Sequence, residues 1–347
     1  MDKLLVSIII VNWNGQEFLP ACLASIKNNK YSNYEIILVD NGSVDDSVKF
    51  VRDNFPEVKL IETGKNLGFA EGNNIGYAAT KGEYILFLNN DTIVEGTFLT
   101  HLVDYLLAHP KTGAVQPKLV RFDRTTIDSA GSYLANTGIL YHYGFLKPTD
   151  SLLYNKPRII FSVKGAAALW RREVLEKVGV FDQDFFNYFE ETDLCWRTWL
   201  AGYQIFYVPS SVVYHKAGGT AEKVDSKFII FISYYSFRNR ICTLLKNLGP
   251  WEFIKIFPFH ILCCLGIALA LLIRGETAYT KGILQAIGWN IASLRSTLAK
   301  RALVQKKIRQ VCDRDFFPLI KKNPKFYYYY LFFRFQGFEN YIDEEIN

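Results

Sequence analysis

A chain of 347 residues that is half apolar and 16% aromatic can bury a large core, which excludes an intrinsically disordered protein. Its net charge of +6 conceals a split: residues 1–225 carry 22 Lys and Arg against 26 Asp and Glu, and residues 226–347 carry 18 against 8. The first part is therefore free of a polycationic role, and the second faces an anionic partner, either nucleic acid or anionic lipid.

Leu4–Val11 is a short apolar run that passes straight into Asn12-Trp13-Asn14-Gly15. That fits a buried strand better than a signal peptide and points to a catalytic face in the cytosol. Val6–Val11 is nearly all β-branched, as expected for a parallel strand covered on both faces. Phe18, Leu19, Cys22, Leu23 and Ile26 then fall at helical spacing. Further strands are predicted at Glu35–Val39, Val58–Glu62, Tyr84–Leu88 and Ala114–Leu119. Helices are predicted between them at Asp45–Asn54, Phe69–Ala79 and Thr97–Ala108. This alternation predicts an α/β, Rossmann-like fold whose open, mostly parallel sheet carries helices on both faces.

Ligands of such sheets lie outside the carboxyl ends of the strands. Those ends carry Asn12 and Asn14, Asp40 and Asn41, Asn66, and Asp91. Any one of them serves equally well as an Asx turn or a helix cap. Four along one edge make a nucleotide crevice. No Gly-x-Gly-x-x-Gly follows the first strand and there is no Walker-type lysine loop, which removes a dinucleotide-binding dehydrogenase. An acid after a central strand points instead to phosphates neutralised by a divalent metal.

Further on, Phe189-Glu190-Glu191-Thr192-Asp193-Leu194 places three carboxylates within four residues at a predicted helix start. Acids favour the positive end of a helix, which is the bland explanation. Three together also repel one another and resist desolvation unless a cation, a partner or a reaction needs them. Asp193 and Arg197 lie four apart and can pair on one helical face. The six cysteines have neither metal-ligand spacing nor disulfide density and read as small buried hydrophobes.

The segments Val6–Asn14, Val39-Asp40-Asn41-Gly42-Ser43, Asn66-Leu67-Gly68-Phe69-Ala70 and Leu88-Asn89-Asn90-Asp91-Thr92 resemble the successive signatures of family-2 inverting glycosyltransferases with the GT-A fold. The similarity continues through Lys164-Gly165-Ala166-Ala167, Arg171–Val174, Gly179–Asp182, the acidic motif and Val213-Tyr214-His215. It covers roughly residues 5–220 and is nearest to the rhamnosyltransferase-like subgroup. The resemblance implies that Val11, Asn12, Asp40 and Asn66 bind the nucleoside, with Asp40 accepting from a uracil or thymine imide. It places Asn89-Asn90-Asp91 at the family's Asp-x-Asp motif, with Asn89 replacing the first acid. Asp91, with His215, would hold Mg²⁺ or Mn²⁺; imidazole suits Mn²⁺ better. It puts Glu191 at the position of the base that deprotonates the acceptor hydroxyl, where relatives more often have Asp, with Glu190 and Asp193 orienting it or contacting the acceptor. Tyr133, Tyr141, His142, Tyr143 and Phe145 fall in the variable acceptor-side region, where they either stack on sugar faces or fill a core.

Beyond residue 225, Ile256–Ile273 is 18 residues without a charged side chain, just under the ~20 needed to span a bilayer. Pro258, His260 and Gly266 interrupt it, and basic residues flank both ends, against the positive-inside tendency. Helices lying in or dipping into the cytoplasmic leaflet fit better, with Lys300, Arg301, Lys306, Lys307 and Arg309 on anionic headgroups and Phe326–Phe335 as an aromatic anchor. A helical bundle packed on the catalytic domain and a true span are the alternatives. Apolar runs interleaved with the charges disfavour nucleic acid.

These readings predict a GT-A catalytic domain over 1–225 and a basic, apolar helical region over 226–347. Together they point to single-sugar transfer from a nucleoside-diphosphate sugar, dTDP-rhamnose or a UDP-sugar, to a saccharide acceptor that is lipid-linked, in cell-surface polysaccharide assembly. A nucleotidyltransferase on a similar sheet and a non-catalytic lipid- or glycan-binding scaffold are the competing classes.

Overall fold

The computed structural model describes residues 4–216, 225–334 and 340–343. Four parallel strands form the half of the sheet that holds the predicted crevice: β1 Val6–Asn12, β2 Tyr34–Asp40, β3 Lys59–Glu62 and β4 Tyr84–Asn89. Their continuous apolar runs arise because both faces are covered. Ile9 enters one core layer while Ile8 and Ile10 enter the other, as the two-residue period of a strand requires. Helices α1 Leu19–Lys27, α2 Ser47–Asn54, α3 Gly68–Ala78 and α4 Phe98–Ala108 fall within a residue or two of the predicted spans.

The remaining strands are β5 Thr92–Val94, β6 Thr112–Arg121, β7 Ile127–Ser129, β8 Ser132–Leu134, β9 Leu140–His142, β10 Arg158–Ile159, β11 Ala167–Arg171 and β12 Gln204–His215. The main path of the large sheet runs β10-β12-β6-β11-β4-β1-β2-β3, and β8 and β9 form a separate hairpin. β11 lies antiparallel between β4 and β6, so the parallel order is interrupted at mid-sheet. Helices α5 Arg172–Val178 and α6 Glu190–Leu200 follow β11, and α6 starts at the acidic motif.

The C-terminal region is helical: α7 Ser226–Asn247, α8 Pro250–Ile273, α9 Thr277–Ala292, α10 Leu294–Leu303, α11 Asp313–Ile320 and α12 Phe326–Arg334. Asp225 caps α7 by accepting from the Phe228 amide at 2.7 Å. α8 runs unbroken through Pro258 for 24 residues, long and apolar enough to cross a membrane by length and composition. Its outer side is open, with Leu262 65% and Leu269 58% exposed.

One open alternative is decided here and one expectation is corrected. Tyr133, Tyr141 and Tyr143 fill a core with Tyr154 and Tyr328 rather than facing a sugar. His142 is exposed and Phe145 half-buried. The C-terminal tail seals this core, because Asp343 accepts from the hydroxyls of Tyr141 and Tyr154 and from the Gly144 amide. Of the five basic residues assigned to headgroups, Lys300 pairs with Asp182 and Asp184, Arg301 donates to the Leu245 carbonyl, and Arg309 pairs with Asp313. Of the five only Lys306 and Lys307 remain exposed, because Lys300 and Arg301 pack back onto the acid loop and α7, and Arg309 reaches Asn247 and Asp313. In the aromatic segment Phe326 is exposed and Tyr328 buried, and Phe335 lies outside the described residues.

Candidate active site

At the carboxyl ends of β1, β2 and β4 opens a crevice of about 730 Å³. Val11, Asn41, Asn66, Asn89, Asn90, Asp91 and His215 line one side, and Phe186, Asn187 and Tyr188 the other. Asn12 and Asp40 are register partners of adjacent strands, so their side chains meet: Asn12 Nδ2 donates to Asp40 Oδ1 at 3.1 Å. Asp40 Oδ2 accepts from the Ser43 amide, and Asn12 Oδ1 accepts from Asn90 Nδ2 at 2.8 Å. Both residues are buried and neither is among the side chains that line the crevice. Asn12 thus holds Asp40 and Asn90 in place from behind the wall. Gly15 is required at this point, since a Cβ there would come within 2.2 Å of Asn90 Nδ2 and 2.3 Å of Asn12 Oδ1.

Asn66 Oδ1 accepts from the Gly68 amide and from Asn41 Nδ2, which closes the donor-side loop. Gly68 has a φ of +82° and a Cβ there would sit 2.3 Å from the Phe186 carbonyl. The Phe69 amide donates to that same carbonyl at 2.7 Å, tying the donor side to the acid loop.

His215, at the end of β12, lies between two carboxylates. Its Nδ1 is 2.8 Å from Asp128 Oδ2 and its Nε2 is 3.4 Å from Asp91 Oδ1. Lys164 contacts the other oxygen of Asp128 at 2.6 Å. Burial alone would raise the pKa of Asp128, but Lys164 and His215 hold it well below the usual carboxylate range. With Asp128 taking the Nδ1 proton, Nε2 presents a lone pair toward Asp91, whose buried Oδ1 accepts no hydrogen bond among the described residues. A proton or a metal cation resolves that opposition, and a carboxylate behind a histidine is the usual orienting arrangement of a metal ligand. The residues therefore fit a cation with two protein ligands. Among the described residues no group of three His, Cys, Asp or Glu side chains is placed to hold one, so other ligands would come from the bound substrate. Asp128 escaped the sequence reading; it sits in the polar run Thr125-Thr126-Ile127-Asp128-Ser129, where nothing sets it apart.

The acid loop enters α6 through Tyr188 and Phe189, which both hold positive φ, 69° and 72°. Such backbone in bulky residues is strained and needs support. Asn239 of α7 supplies it by donating to the Asn187 and Tyr188 carbonyls at 2.9 and 2.6 Å. The three acids then separate. Asp193 is wholly buried, 3.0 Å from Arg197 Nε and from Lys246 Nζ, and accepts from Asn247 at 2.8 Å. The Asp193–Arg197 pair is the one anticipated from spacing. Burial opposes the Asp193 charge, yet Lys246 and Arg197 lower its pKa. Its oxygens are committed to these partners, which leaves it an anchor rather than a group facing a substrate.

Glu190 is also buried, and its Oε2 has no hydrogen-bond partner among the described residues. Burial, and then the neighbouring Glu191, raise its pKa well above the usual value. Glu191 is half-buried and is pushed up to about 7 by burial, against the opposing effects of backbone hydrogen bonding, Lys164 and a hydrogen bond from Glu190. The two carboxyls therefore titrate together, with Glu190 raised further than Glu191.

The sequence of residues 7–179 matches the family model Glycosyl transferase family 2. The chain is 28% identical over 235 residues to N-acetylglucosaminyl-diphospho-decaprenol L-rhamnosyltransferase of Mycobacterium tuberculosis, covering 61% of this chain and 76% of that protein. It is 30% identical over 233 residues to an uncharacterized protein, y4gI, of Sinorhizobium fredii, covering 64% of this chain but spanning only a quarter of that protein's length, 25%. Among solved structures, the mannosyltransferase PcManGT from Pyrobaculum calidifontis, in complex with GDP-Man and Mn²⁺, superposes with a TM-score of 0.52 at 19% identity, over 82% of this chain and 86% of that one. That likeness shows a shared GT-A fold.

Proposed function

Because residues 7–179 make this chain a member of glycosyl transferase family 2, we propose that it transfers a single sugar, with inversion, from a nucleoside-diphosphate sugar to an acceptor hydroxyl. The observation that carries the reading is the separation of the three acids of α6: Asp193 is consumed as an anchor, Glu190 is raised furthest, and Glu191 is left poised near neutrality three residues after Tyr188, the last acid-loop residue to line the crevice. A base with a pKa near 7 exchanges a proton with an alcohol most effectively at physiological pH.

In this reading the Glu191 carboxylate takes the proton of the acceptor hydroxyl as its oxygen bonds to the anomeric carbon. The bond from that carbon to the diphosphate oxygen breaks on the opposite face, and the electron pair leaves with the nucleoside diphosphate. Glu190 donates its hydrogen bond to Glu191 and keeps the pair at a single negative charge. Asp91 and His215 would hold Mg²⁺ or Mn²⁺, with Asp128 orienting the imidazole; a divalent cation there supplies charge stabilisation to the leaving diphosphate. Val11, Asn66, Asn89 and Asn90 form the nucleoside side, and Asp40 stands behind them, held by Asn12 and the Ser43 amide. The similarity to a rhamnosyltransferase supports dTDP-rhamnose ahead of a UDP-sugar as donor and a saccharide on a lipid diphosphate as acceptor. The exposed apolar face of α8 supports assembly of a cell-surface polysaccharide at the cytoplasmic side of a membrane.

The test is Glu191→Gln. Transfer should fall by about 10²–10⁴-fold, while calorimetric affinity for the nucleoside diphosphate stays within about twofold, a change of under half a kcal/mol. Turnover close to that of the unaltered enzyme would remove Glu191 as the base. Release of pyrophosphate in place of a nucleoside diphosphate would move the protein to the nucleotidyltransferases.

A further inference from the structure

Helices α7, α8 and α9 enclose a second cavity of about 660 Å³ whose walls are almost wholly apolar. Phe228, Ile232 and Phe237 line it along α7, and Gly266, Ile267 and Ala270 along α8. Two cations mark its ends. Arg240 lies beside Cys264, whereas Thr280 donates to the Ala268 carbonyl and Gly282, two residues on, abuts Ser233. Residue numbers thus fall along α7 as they rise along α8, so the helices run antiparallel and Arg274 is carried toward the Phe228 end. From Phe228 to Arg240 the groove follows twelve residues of helix, about 18 Å.

Phe228 lines this groove and also the nucleotide crevice, and Lys227 beside it lines the crevice. The two cavities therefore meet at one junction, where Lys227 and Arg274 are both exposed. We infer that the groove receives the hydrocarbon chain of the acceptor, with the acceptor's phosphate between Lys227 and Arg274 and its sugar entering the crevice past Phe228. This rests on the glycosyl-transfer reading of the crevice. An anionic head on an apolar chain matches both the charge at the junction and the lining of the groove. Bulk bilayer lipid has a different surface available: the outer side of α8, where Leu262, Leu265 and Leu269 are exposed. The groove lies between helices and opens toward the chemistry.

Gly266 gives a direct test, because a Cβ built there meets no atom within 4 Å. Gly266 lines the groove and its Cβ position is open, so Gly266→Trp adds an indole at the groove wall. The full-length variant, in detergent, is assayed on one monosaccharide diphosphate carried either by a long polyprenyl chain or by a short citronellyl chain. The KM for the long-chain acceptor should rise at least about tenfold, the loss of roughly two buried methylene groups. The kcat, the short-chain KM and donor hydrolysis without acceptor should not change. Equal effects on both acceptors, or none on either, would overturn the inference and leave the chain in the surrounding lipid. Arg274→Glu should raise KM for both phosphorylated acceptors and leave a phosphate-free glycoside unaffected; an unchanged KM for both rejects the head-group site. Failure of the unaltered protein to hydrolyse any nucleotide sugar would instead reject the transferase reading.

Discussion

Glu190 and Glu191 are adjacent in sequence, yet burial and one shared hydrogen bond give them different jobs. Glu191 is pushed up to about 7, so kcat/KM should lose about tenfold per pH unit below 7 as the base is protonated. The hydrogen bond from Glu190 lowers that pKa, so Glu190→Ala should move the acid limb to higher pH, while Glu190→Gln, which keeps a donor, should leave it in place. Identical limbs in all three proteins would show that the pair does not share a proton. Stability carries the opposite sign. The folded pKa of Glu190 lies well above its unfolded value of 4.5, so the native state binds the extra proton and stability falls as pH rises from about 4.5 through the folded pKa. Glu190→Gln removes that loss, and its melting-temperature advantage should widen between pH 5 and pH 8. Asn89 is the third residue with a specific consequence. Asn89→Asp adds a carboxylate beside the proposed two-ligand cation site, so it should tighten Mn²⁺ binding in the presence of nucleoside diphosphate, read by electron paramagnetic resonance, and His215→Ala should loosen it. Unaltered Mn²⁺ affinity in both would place the cation elsewhere.

α7 shows how an element can escape a sequence in which its neighbours are legible. β1 to β4 were readable because doubly covered parallel strands must be continuous apolar runs, and their ends at Asn12, Asp40 and Asn89 follow where those runs stop. α7 lacks such a pattern, because one side carries apolar residues and the other buries Arg238, Asn239, Lys246 and Asn247. Those polar residues find partners some fifty residues away, in the acid loop: Arg238 on the Asp184 carbonyl, Asn239 on Asn187 and Tyr188, Lys246 on Asp182 and Asp193. No local periodicity encodes such pairings, and the antiparallel insertion of β11 and the Asp128–His215 contact were hidden for the same reason. The helix is a strut that fixes the loop bearing the acids. Lys246→Met leaves two buried carboxylates short of a cation, but Asp182 keeps Lys300 and Asp193 keeps Arg197. The cost should therefore fall near the lower end for a broken buried pair, about 3 kcal/mol in urea unfolding. Both carboxylates have depressed pKa values, so the stability they contribute is present above their unfolded pKa of 3.8 and is lost as pH falls below it. A loss under about 1 kcal/mol, the range of an exposed pair, would make the strut a surface contact.

At the scale of the whole molecule, charge and apolar surface divide the work differently from what composition indicated. The excess of basic residues after position 225 looked like a headgroup-binding face, but Lys300, Arg301 and Arg309 are spent inside, holding α10 and the tail to α7 and the acid loop. Beside the cations left outside lies an apolar surface: a 24-residue helix with Ile254, Leu262, Leu269 and Ile273 more than half exposed. Exposed charges are screened within about 10 Å at 0.1 M salt and within 3 Å at 1 M, whereas apolar burial is not. Attachment through α8 therefore predicts that vesicles of mixed neutral and anionic lipid retain the protein through a 1 M salt wash. Leu262→Asp with Leu269→Asp should release it at low salt. Both side chains are more than half exposed, so the double variant should keep its fold and its hydrolysis of free donor. Release of the unaltered protein by salt alone would return the membrane contact to the exposed cations of this region, among them Lys227, Arg274, Lys281, Arg295, Lys306 and Lys307. Retention would mean that one helix both holds the enzyme at the lipid surface and forms a wall of the groove leading to its acids.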